Sequence, residues 1–204
     1  MEKTRPRGNT YTLWGGALSL YTGKVRSYLI KAGIPYREYY TVHPEYRERV
    51  LPIVRLGVAP ILETPDGQTV QDTTDIIECL EARHPATSMI PATPIQRVVA
   101  WLVNAFGSDG LLQASMHYRW SYEAVQKPWL LDEFGRFRSM GGREQRHAAA
   151  SKFMSQMDAM LPPLGVTPET GPAIEASHRA LLAILDNHFL AHPYLLGGRP
   201  SIAD

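Results

Sequence analysis

The sequence predicts an α/β domain followed by an all-α domain, because the local patterns change near residue 90. Strand-like and helix-like segments alternate over the first 85 residues, whereas no convincing strand follows. The segment from His84 to Pro94 is rich in proline, threonine and serine, as is typical of a linker between domains. We therefore divide the chain into an α/β domain over 1–88 and an all-α domain over 93–204.

The first domain should contain four strands and three helices. Gly15-Gly16 ends the first strand, Gly33 ends the first helix, and Asp66-Gly67 tolerates the positive φ of a tight hairpin. A helix between two strands implies a parallel pair, to which the hairpin adds antiparallel strands. This is a thioredoxin-like order. The predicted ranges are strand 10–14, helix 22–33, strand 36–41, helix 44–56, two short strands on either side of Asp66-Gly67, and helix 73–84.

The second domain should consist of helices only. Gly107 and Gly110 predict a bend or break within the first helix, and Pro162-Pro163 ends the second. Ser201 and Asp204 have the S-x-x-D spacing of a capping box, in which Ser201 caps a following helix and Asp204 reaches back. We therefore expect the helical domain to be truncated at its end. The predicted helices cover 94–122, 143–161 and 172–191.

Composition and charge argue against several classes of partner. The 204 residues are 44% hydrophobic and 20% charged, which suits a globular protein with a sizeable core. A net charge of +1 argues against nucleic acid and anionic membranes as partners, and no apolar run reaches the ~20 residues that span a bilayer. The segment from Met1 to Thr10 is polar and lacks the apolar core of a signal peptide. Together with a single cysteine, Cys79, this predicts a cytoplasmic protein.

The most informative motif is the stretch from Val58 to Ile77. Pro60 opens a short apolar strand, a hairpin follows, and Asp72-Thr73 begins a helix whose unpaired N–H groups favour an anion. This stretch resembles the glutathione-binding half of the glutathione S-transferase family. The resemblance implies that Pro60 is cis and that the backbone of Val58 pairs with the peptide of glutathione. It further implies that Asp72 binds the γ-glutamyl ammonium and Thr73 the carboxylate, although many members have Glu-Ser here. The alternative is a trans proline followed by two ordinary helix caps.

Ser19 lies between the first strand and the first helix, where thioredoxin-like folds hold their reactive residue. It lies seven residues before Arg26, as in serine-type classes of the family, whereas redox proteins with a thioredoxin-like fold have Cys-x-x-Cys at this place. The resemblance implies that the Ser19 hydroxyl donates to the glutathione sulfur and stabilises the thiolate. In one alternative Ser19 only caps the helix. In another, Tyr11 or Tyr21 contacts the sulfur, since other classes use a tyrosine.

The resemblance implies two further subsites. A cation or hydrogen-bond donor near the start of the second helix should bind the glycine carboxylate of glutathione, and the candidates are His43, Arg47 and Arg49. An apolar electrophile should bind between the domains, where Gly15-Gly16 leaves room beside the sulfur. The candidate lining residues are Gly16, Tyr21, Tyr118 and Trp120. Tyr118 and Trp120 are equally consistent with core or interface positions.

These features predict a glutathione transferase that uses glutathione as co-substrate and assembles as a homodimer. His188 and His192 have an i, i+4 spacing, but no third ligand is near in sequence and helix C-termini attract histidine, so no metal site is expected. The alternative function is a non-catalytic module that binds a ligand or another protein. A glutathione-dependent thiol reductase is a third possibility, which a serine at position 19 argues against.

Overall fold

The computed structural model describes residues 9–54 and 56–204, which divide into two compact units. The first unit contains the described residues up to Ser88 together with Asp132–Ala149. The second unit contains Met89–Leu131 and Ala150–Asp204. The segment Asp132–Ala149, which the sequence analysis places in the helical domain, therefore groups with the first unit. The prediction that the N-terminal segment is not a signal peptide depends mostly on residues 1–8, which lie outside the described residues.

A four-stranded mixed sheet forms the centre of the first unit. Its regular elements are β1 (Tyr11–Gly15), α1 (Leu20–Lys31), β2 (Tyr36–Tyr40), β3 (Ile61–Glu63), β4 (Thr69–Gln71) and α2 (Thr73–Arg83). The strand order is β2-β1-β3-β4, with β1 and β2 parallel and the other two pairs antiparallel. The predicted thioredoxin-like order is confirmed, because the helix α1 connects the parallel pair and the Asp66-Gly67 hairpin adds the antiparallel strand.

The second predicted helix is irregular. A π-helical turn, Tyr46–Val50, is followed directly by a 3₁₀ turn, Leu51–Ile53, and we call the two together the irregular helix. The N–H of Leu51 reaches back to the carbonyl of Tyr46, five residues earlier. Pro52 has no N–H to donate, so a regular α-helical hydrogen bond is impossible at that position. The sequence periodicity located this helix but overestimated its regularity and its length.

A buried carboxylate connects the sheet to the irregular helix. Glu63 in β3 is only 3% exposed, and its carboxylate accepts a hydrogen bond from the indole Nε1 of Trp14 at 2.5 Å. The guanidinium of Arg49 binds both carboxylate oxygens, with Nη2 2.9 Å from Oε2 and Nη1 against Oε1. Bidentate pairing and an indole donor together satisfy a charge that would otherwise be costly to bury. Trp14 also packs with Tyr46 in the adjoining apolar cluster.

The second unit is helical, apart from short turns and one isolated bridge. In the described chain the helices after the linker are α3 (Pro94–Ala105), α4 (Leu112–Trp120), α5 (Glu123–Arg138), α6 (Arg143–Asp158) and α7 (Gly171–Ala191), with α5 and α6 shared between the units. A π-helical turn, Phe106–Gly110, interrupts the first long helix, as its glycines predicted. The sequence analysis missed α5, which has little apolar periodicity and contains Pro128. No helix in the described ranges is both long and apolar enough to cross a bilayer.

Two hydrogen bonds fix α7, one from a side chain of α4 and one from a side chain just after α4. Glu175 in α7 accepts from Nε2 of His117 at 3.0 Å and from the hydroxyl of Tyr122. These two hydrogen bonds, that of Tyr122 first, lower the pKa of the Glu175 carboxyl to about 2. The same unit contains the predicted capping box, since the N–H of Ser201 donates to the carboxylate of Asp204 at 2.8 Å.

Replacing Arg49 should destabilise the fold. In Arg49→Met the Glu63 carboxylate stays buried and loses its bidentate cation, so we expect a loss of about 3 kcal/mol in the free energy of unfolding. Urea denaturation would measure it. The matched control is Arg47→Met, two residues away and exposed, which should change stability by less than about 0.5 kcal/mol. Equal effects of the two substitutions would contradict a special role for the Glu63 pair.

Candidate functional site

The strand register brings the candidate residues to one edge of the sheet. Trp14 of β1 pairs with Ile61 of β3, and Ile61 pairs with Gln71 of β4. The chain that follows β1, the chain that precedes β3 and the chain that follows β4 therefore meet at this edge. Gly15 of β1 pairs with Tyr40 of β2, which adds the residues after β2. The N-termini of α1 and α2 both lie here, so two sets of unpaired N–H groups face the same edge.

Ser19 is the N-cap residue of α1. Its Oγ accepts the N–H of Thr22 at 3.1 Å, and the helix begins at Leu20, two residues earlier than predicted. The side chain is half-buried. A capping hydroxyl uses a lone pair of the oxygen and keeps its proton, so Ser19 can cap the helix and still donate a hydrogen bond outward. The structural and the functional interpretations of Ser19 are therefore compatible.

Arg26 holds the loop that carries Ser19. Its guanidinium pairs with both carboxylate oxygens of Glu38 in β2, at 2.7 Å and 2.6 Å, and Nη2 lies 3.4 Å from the carbonyl oxygen of Gly16. The N–H of Ser19 donates to the same carbonyl at 3.1 Å. The sequence analysis used Arg26 only to locate Ser19, but the structure shows that Arg26 positions the loop.

The backbone before β3 is arranged differently from the prediction. The peptide bond between Ala59 and Pro60 is cis, as expected from the resemblance. The carbonyl of Val58 accepts a hydrogen bond from Nε2 of Gln71 at 3.2 Å, so it is not free, as the prediction required. No described residue donates to or accepts from the backbone of Ala59. Ala59 is therefore a candidate ligand contact that the sequence analysis did not identify. Ala59 is the residue immediately before the proline, and that adjacency was the signal that could have identified it.

Asp72 has an unusual backbone conformation. It is the N-cap residue of α2, with φ 81° and ψ 139°. Among the described residues, it is the one residue other than glycine that has a positive φ. Its Oδ1 accepts the N–H of Thr74 at 2.8 Å, which leaves Oδ2 exposed at the sheet edge. Residues in such sparsely populated regions cost about 1–3 kcal/mol and concentrate at functional sites. No sequence pattern indicated this strain.

Thr73 is buried, and its hydroxyl oxygen accepts a hydrogen bond from the ammonium of Lys24 at 3.2 Å. This contact joins the second turn of α1 to the first turn of α2. It places a cation on the residue next to Asp72. An acid, a cation and two helix N-termini at one edge match a ligand that carries both an ammonium and a carboxylate group.

The three candidates for the glycine carboxylate have different environments. Arg49 is engaged with buried Glu63, so it is unsuitable as a ligand contact. Arg47 is exposed. His43 lies beside Trp14 and Tyr39, with ring centroids 5.9 Å and 5.5 Å away, and its Nδ1 accepts the N–H of Glu45 at 3.3 Å. In the neutral ring the proton is then on Nε2, which can donate to a carboxylate.

The space expected beside Gly16 is filled. A Cβ atom on Gly16 would lie 2.5 Å from Cδ2 of Phe137 and 3.2 Å from Cδ1 of Tyr40. Phe137, near the end of α5, thus covers the loop after β1, contrary to the prediction that Gly16 leaves room for an electrophile. The structure places Tyr21 one residue inside α1, half-buried. No sequence pattern indicated that Phe137 contacts Gly16, because no helix was predicted over 123–138.

Tyr118 and Trp120 belong to the packing of the second unit. The ring of Tyr118 stacks on Tyr122 at 6.1 Å and contacts His178 of α7 at 5.2 Å. Trp120 is buried. Both observations agree with the structural alternative for these residues, and the electrophile-binding role assigned to them stays a prediction.

Observed contacts also involve Tyr11 and the histidine pair His188 and His192. The hydroxyl of Tyr11 lies 2.8 Å from Nε2 of His84, at the opposite end of β1 from Ser19, and burial raises the pKa of this phenol. Tyr11 is therefore unsuited to bind a sulfur near Ser19. His188 directs Nε2 to the carbonyl of Tyr194 at 3.2 Å. Within the described residues, no group of three or more histidine, cysteine or acidic side chains is arranged to hold a metal ion.

Comparison with known proteins supports the assignment of the first unit. Residues 13–88 match the family model described as glutathione S-transferase, N-terminal domain. No curated protein sequence matches the chain significantly.

Two solved structures are similar over most of the chain. A glutathione S-transferase from Rhodospirillum rubrum F11 is 17% identical with a TM-score of 0.58, over 95% of this chain and 72% of that chain. A glutathione transferase homologue from Sulfitobacter with bound glutathione is 17% identical with a TM-score of 0.53, over 96% of this chain and 78% of that chain. At this identity the comparison shows a shared fold.

The strain at Asp72 predicts an unequal response to alanine and glycine. Asp72→Ala removes the cap and keeps a Cβ at positive φ, whereas Asp72→Gly removes the cap and relieves the strain. The glycine variant should be more stable by about 2 kcal/mol in urea denaturation. Ser19 is a cap with an unstrained φ of −76°. The free energies of unfolding of Ser19→Ala and Ser19→Gly should therefore differ by less than about 1 kcal/mol. Equal gaps at the two positions would contradict the assignment of strain to Asp72.

Proposed function

We propose that this chain is a glutathione transferase, because residues 13–88 match the family model of the glutathione S-transferase N-terminal domain. In this proposal it joins the thiolate of glutathione to an apolar electrophile. One observation carries the proposal: Ser19 and Asp72 are the N-cap residues of two helices whose N-termini share one sheet edge, and Lys24 of α1 contacts Thr73 of α2.

The charges at this edge match the γ-glutamyl end of glutathione. Oδ2 of Asp72 would accept from the ammonium, while Lys24, Thr73 and the N-terminus of α2 would bind the carboxylate. The backbone of Ala59 would pair with the peptide, in place of Val58, whose carbonyl already has a donor. Pro60 shapes this segment, and His43 would donate Nε2–H to the glycine carboxylate. The glutathione bound in the Sulfitobacter structure supports the same ligand.

Ser19 would activate the sulfur without forming a covalent bond. A free thiol has a pKa of about 8.5, and an O–H donor together with a helix N-terminus favours the thiolate. The thiol proton goes to solvent, the thiolate attacks the electrophilic carbon, and the leaving group departs with its electron pair. Arg26 would support this step by holding the loop of Ser19 through the carbonyl of Gly16.

One observation favours the second candidate, a non-catalytic ligand-binding or interaction module. The ring of Phe137 occupies the space above Gly16 that the electrophile was expected to use. A protein that binds glutathione but cannot admit an electrophile would have this arrangement. Conjugation that is absent in the wild type and present in Phe137→Ala would favour this candidate.

Calorimetric titration of glutathione tests the binding part of the proposal. Asp72→Asn keeps the cap but removes the charge, so the dissociation constant should rise about tenfold or more. The matched control is Asp75→Asn, an exposed acid in the same helix, which should bind as the wild type does. No heat from the folded wild type at millimolar glutathione would reject the glutathione site.

The chemical part is tested through the pH dependence of conjugation. Ser19→Ala should raise the pKa of the bound thiol by about one to two units and lower kcat/KM correspondingly below that pKa. Ser19→Thr, which keeps a hydroxyl, should recover part of the rate. An unchanged pH profile in Ser19→Ala, with glutathione still bound, would assign Ser19 to helix capping alone.

We further propose that two copies associate through the outer face of α3. The apolar side chains of α3 and of the first residue after it are exposed in the single chain, Ile95 by 80%: Ile95, Val98, Val99, Leu102 and Phe106. They offer roughly 500 Å² of apolar surface, a large part of the ~800 Å² that each partner buries in a standard interface. Arg97 is the charged residue of α3, and it donates to the carbonyls of Pro91 and Ala92 instead. The five apolar side chains themselves carry no charge, so their symmetric pairing meets no like-charge repulsion among them.

Light scattering coupled to size exclusion would check the association. The wild type should have twice the 22.8 kDa mass of one chain, and Leu102→Glu should shift it to the single-chain mass because the charge would be buried at the interface. Leu190→Glu, on the exposed face of α7, is the control and should leave the dimer intact. A wild type of single-chain mass at micromolar concentration would reject the interface.

The proposal includes a cytoplasmic location. The single cysteine, Cys79, supports it, because a chain with one cysteine gains no internal disulfide from an oxidising compartment.

A further inference from the structure

Hydrogen bonds link a serine, a histidine and a glutamate of the second unit in series. Oγ of Ser121 lies 3.0 Å from Nδ1 of His117, and Nε2 of the same ring lies 3.0 Å from Oε1 of Glu175. All three residues belong to the second unit. Both distances are typical of a nucleophile, its base and the group that orients the base. We call these three residues the Ser121 triad.

Two helices bring the Ser121 triad together. His117 lies in the last turn of α4 and Ser121 is the C-cap residue of that helix, so their spacing of four places both side chains on one face. Glu175 lies in the second turn of α7. A Cβ atom on Gly171, the first residue of α7, would lie 3.0 Å from Cε1 of His117. A glycine at this position therefore leaves the room that the imidazole ring needs.

The carboxylate of Glu175 determines where the proton of His117 lies. Hydrogen bonds from Tyr122 and then His117 hold the pKa of Glu175 at about 2, so at neutral pH its oxygens can only accept. Nε2 of the neutral ring must then carry the proton, and Nδ1 carries the lone pair. The hydroxyl of Ser121 therefore donates to Nδ1. This is the direction that a general base for a serine nucleophile requires.

The exposure of the Ser121 triad follows the order that a nucleophile and its base need. His117 is only 5% exposed and Glu175 is half-buried, whereas Ser121 is exposed and accessible to a substrate. The alternative is that these hydrogen bonds only join α4 to α7. The bonds of His117 and Tyr122 to Glu175 already join the chain of α4 to α7, so packing alone does not require Ser121 in the series.

The helix α5 begins two residues after Ser121, at Glu123. The first N–H groups of a helix, here those of Glu123 and Ala124, have no acceptor within it. At the positive end of the helix dipole such groups stabilise an oxygen that gains negative charge. Tyr122, which is 42% exposed, adds an aromatic surface between Ser121 and this helix start. Nucleophile, base, oxyanion donors and an aromatic surface therefore lie along one short stretch of chain.

We propose that the Ser121 triad hydrolyses small carboxylic esters of aromatic alcohols, an activity separate from any glutathione chemistry. Oγ of Ser121 attacks the carbonyl carbon while its proton passes to Nδ1 of His117. The bond between the carbonyl carbon and the alcohol oxygen then breaks, and the aromatic alcohol leaves with that proton. Water attacks the acyl-serine and gives a proton to Nδ1, which returns it to Oγ as the carboxylic acid departs. Glu175 balances the charge of the ring whenever Nδ1 is protonated.

Hydrolysis of 4-nitrophenyl acetate by the full chain, without glutathione, tests the proposal. We expect saturable release of 4-nitrophenolate, and Ser121→Ala should lower kcat/KM by at least about tenfold. Glu175→Gln keeps a hydrogen-bond acceptor but removes the charge, so it should lower kcat/KM by at least about tenfold too. The matched controls are Ser177→Ala and Asp186→Asn, exposed residues of α7, which should hydrolyse the ester as the wild type does. Circular dichroism confirms that each variant is folded.

An alkyl fluorophosphonate identifies the nucleophile directly, because Oγ displaces fluoride and forms a stable bond to phosphorus. Peptide mass spectrometry should place the label on Ser121, and Glu175→Gln should label at least about tenfold more slowly. A label on Ser19, no label on the folded wild type, or hydrolysis unchanged in Ser121→Ala would overturn the proposal. Since glutathione takes part in neither experiment, the result does not depend on whether the chain is a glutathione transferase.

Discussion

The first unit depends on the buried carboxylate of Glu63. Trp14 and Arg49 both donate to it, so one charge joins β1, β3 and the irregular helix. The candidate site is assembled from the ends of these same elements. Ser19 follows β1, Ala59 precedes β3, and the segment with His43 leads into the irregular helix. A burial cost that only well-placed donors can offset therefore fixes the edge on which the proposed ligand contacts lie.

Helix capping and ligand binding use different parts of the same side chains. Ser19 accepts an N–H and keeps its proton, and Asp72 accepts an N–H on one oxygen and keeps the other exposed. A cap places its side chain at the positive end of the helix dipole, which is also where a thiolate or a carboxylate is stabilised. The strained φ of Asp72 suggests that its position serves more than capping, since an unstrained residue could cap equally well.

The turn between α5 and α6 determines how much of this edge is accessible. Phe137 closes the space above Gly16, while Ser139 and Met140 open a groove beside the end of β2. Both effects come from residues 132–149, which lie far along the chain yet group with the first unit. The proposed transferase and the non-catalytic alternative therefore make different demands on one segment, and Phe137→Ala separates them experimentally.

Local patterns were enough to determine the order of the strands and helices over residues 11–83, the break at 106–110, the Ser201–Asp204 capping box and the cis bond before Pro60. Each depends on a turn, a cap or a family motif contained within a short stretch of chain. The sequence could not show the positive φ of Asp72, the Lys24–Thr73 contact or the ring of Phe137 over Gly16. Those features depend on residues that are distant in sequence and come together only when the sheet register is set. Arg47 and Arg49 were equivalent in the sequence, and only the buried position of Glu63 decided that Arg49 forms an ion pair.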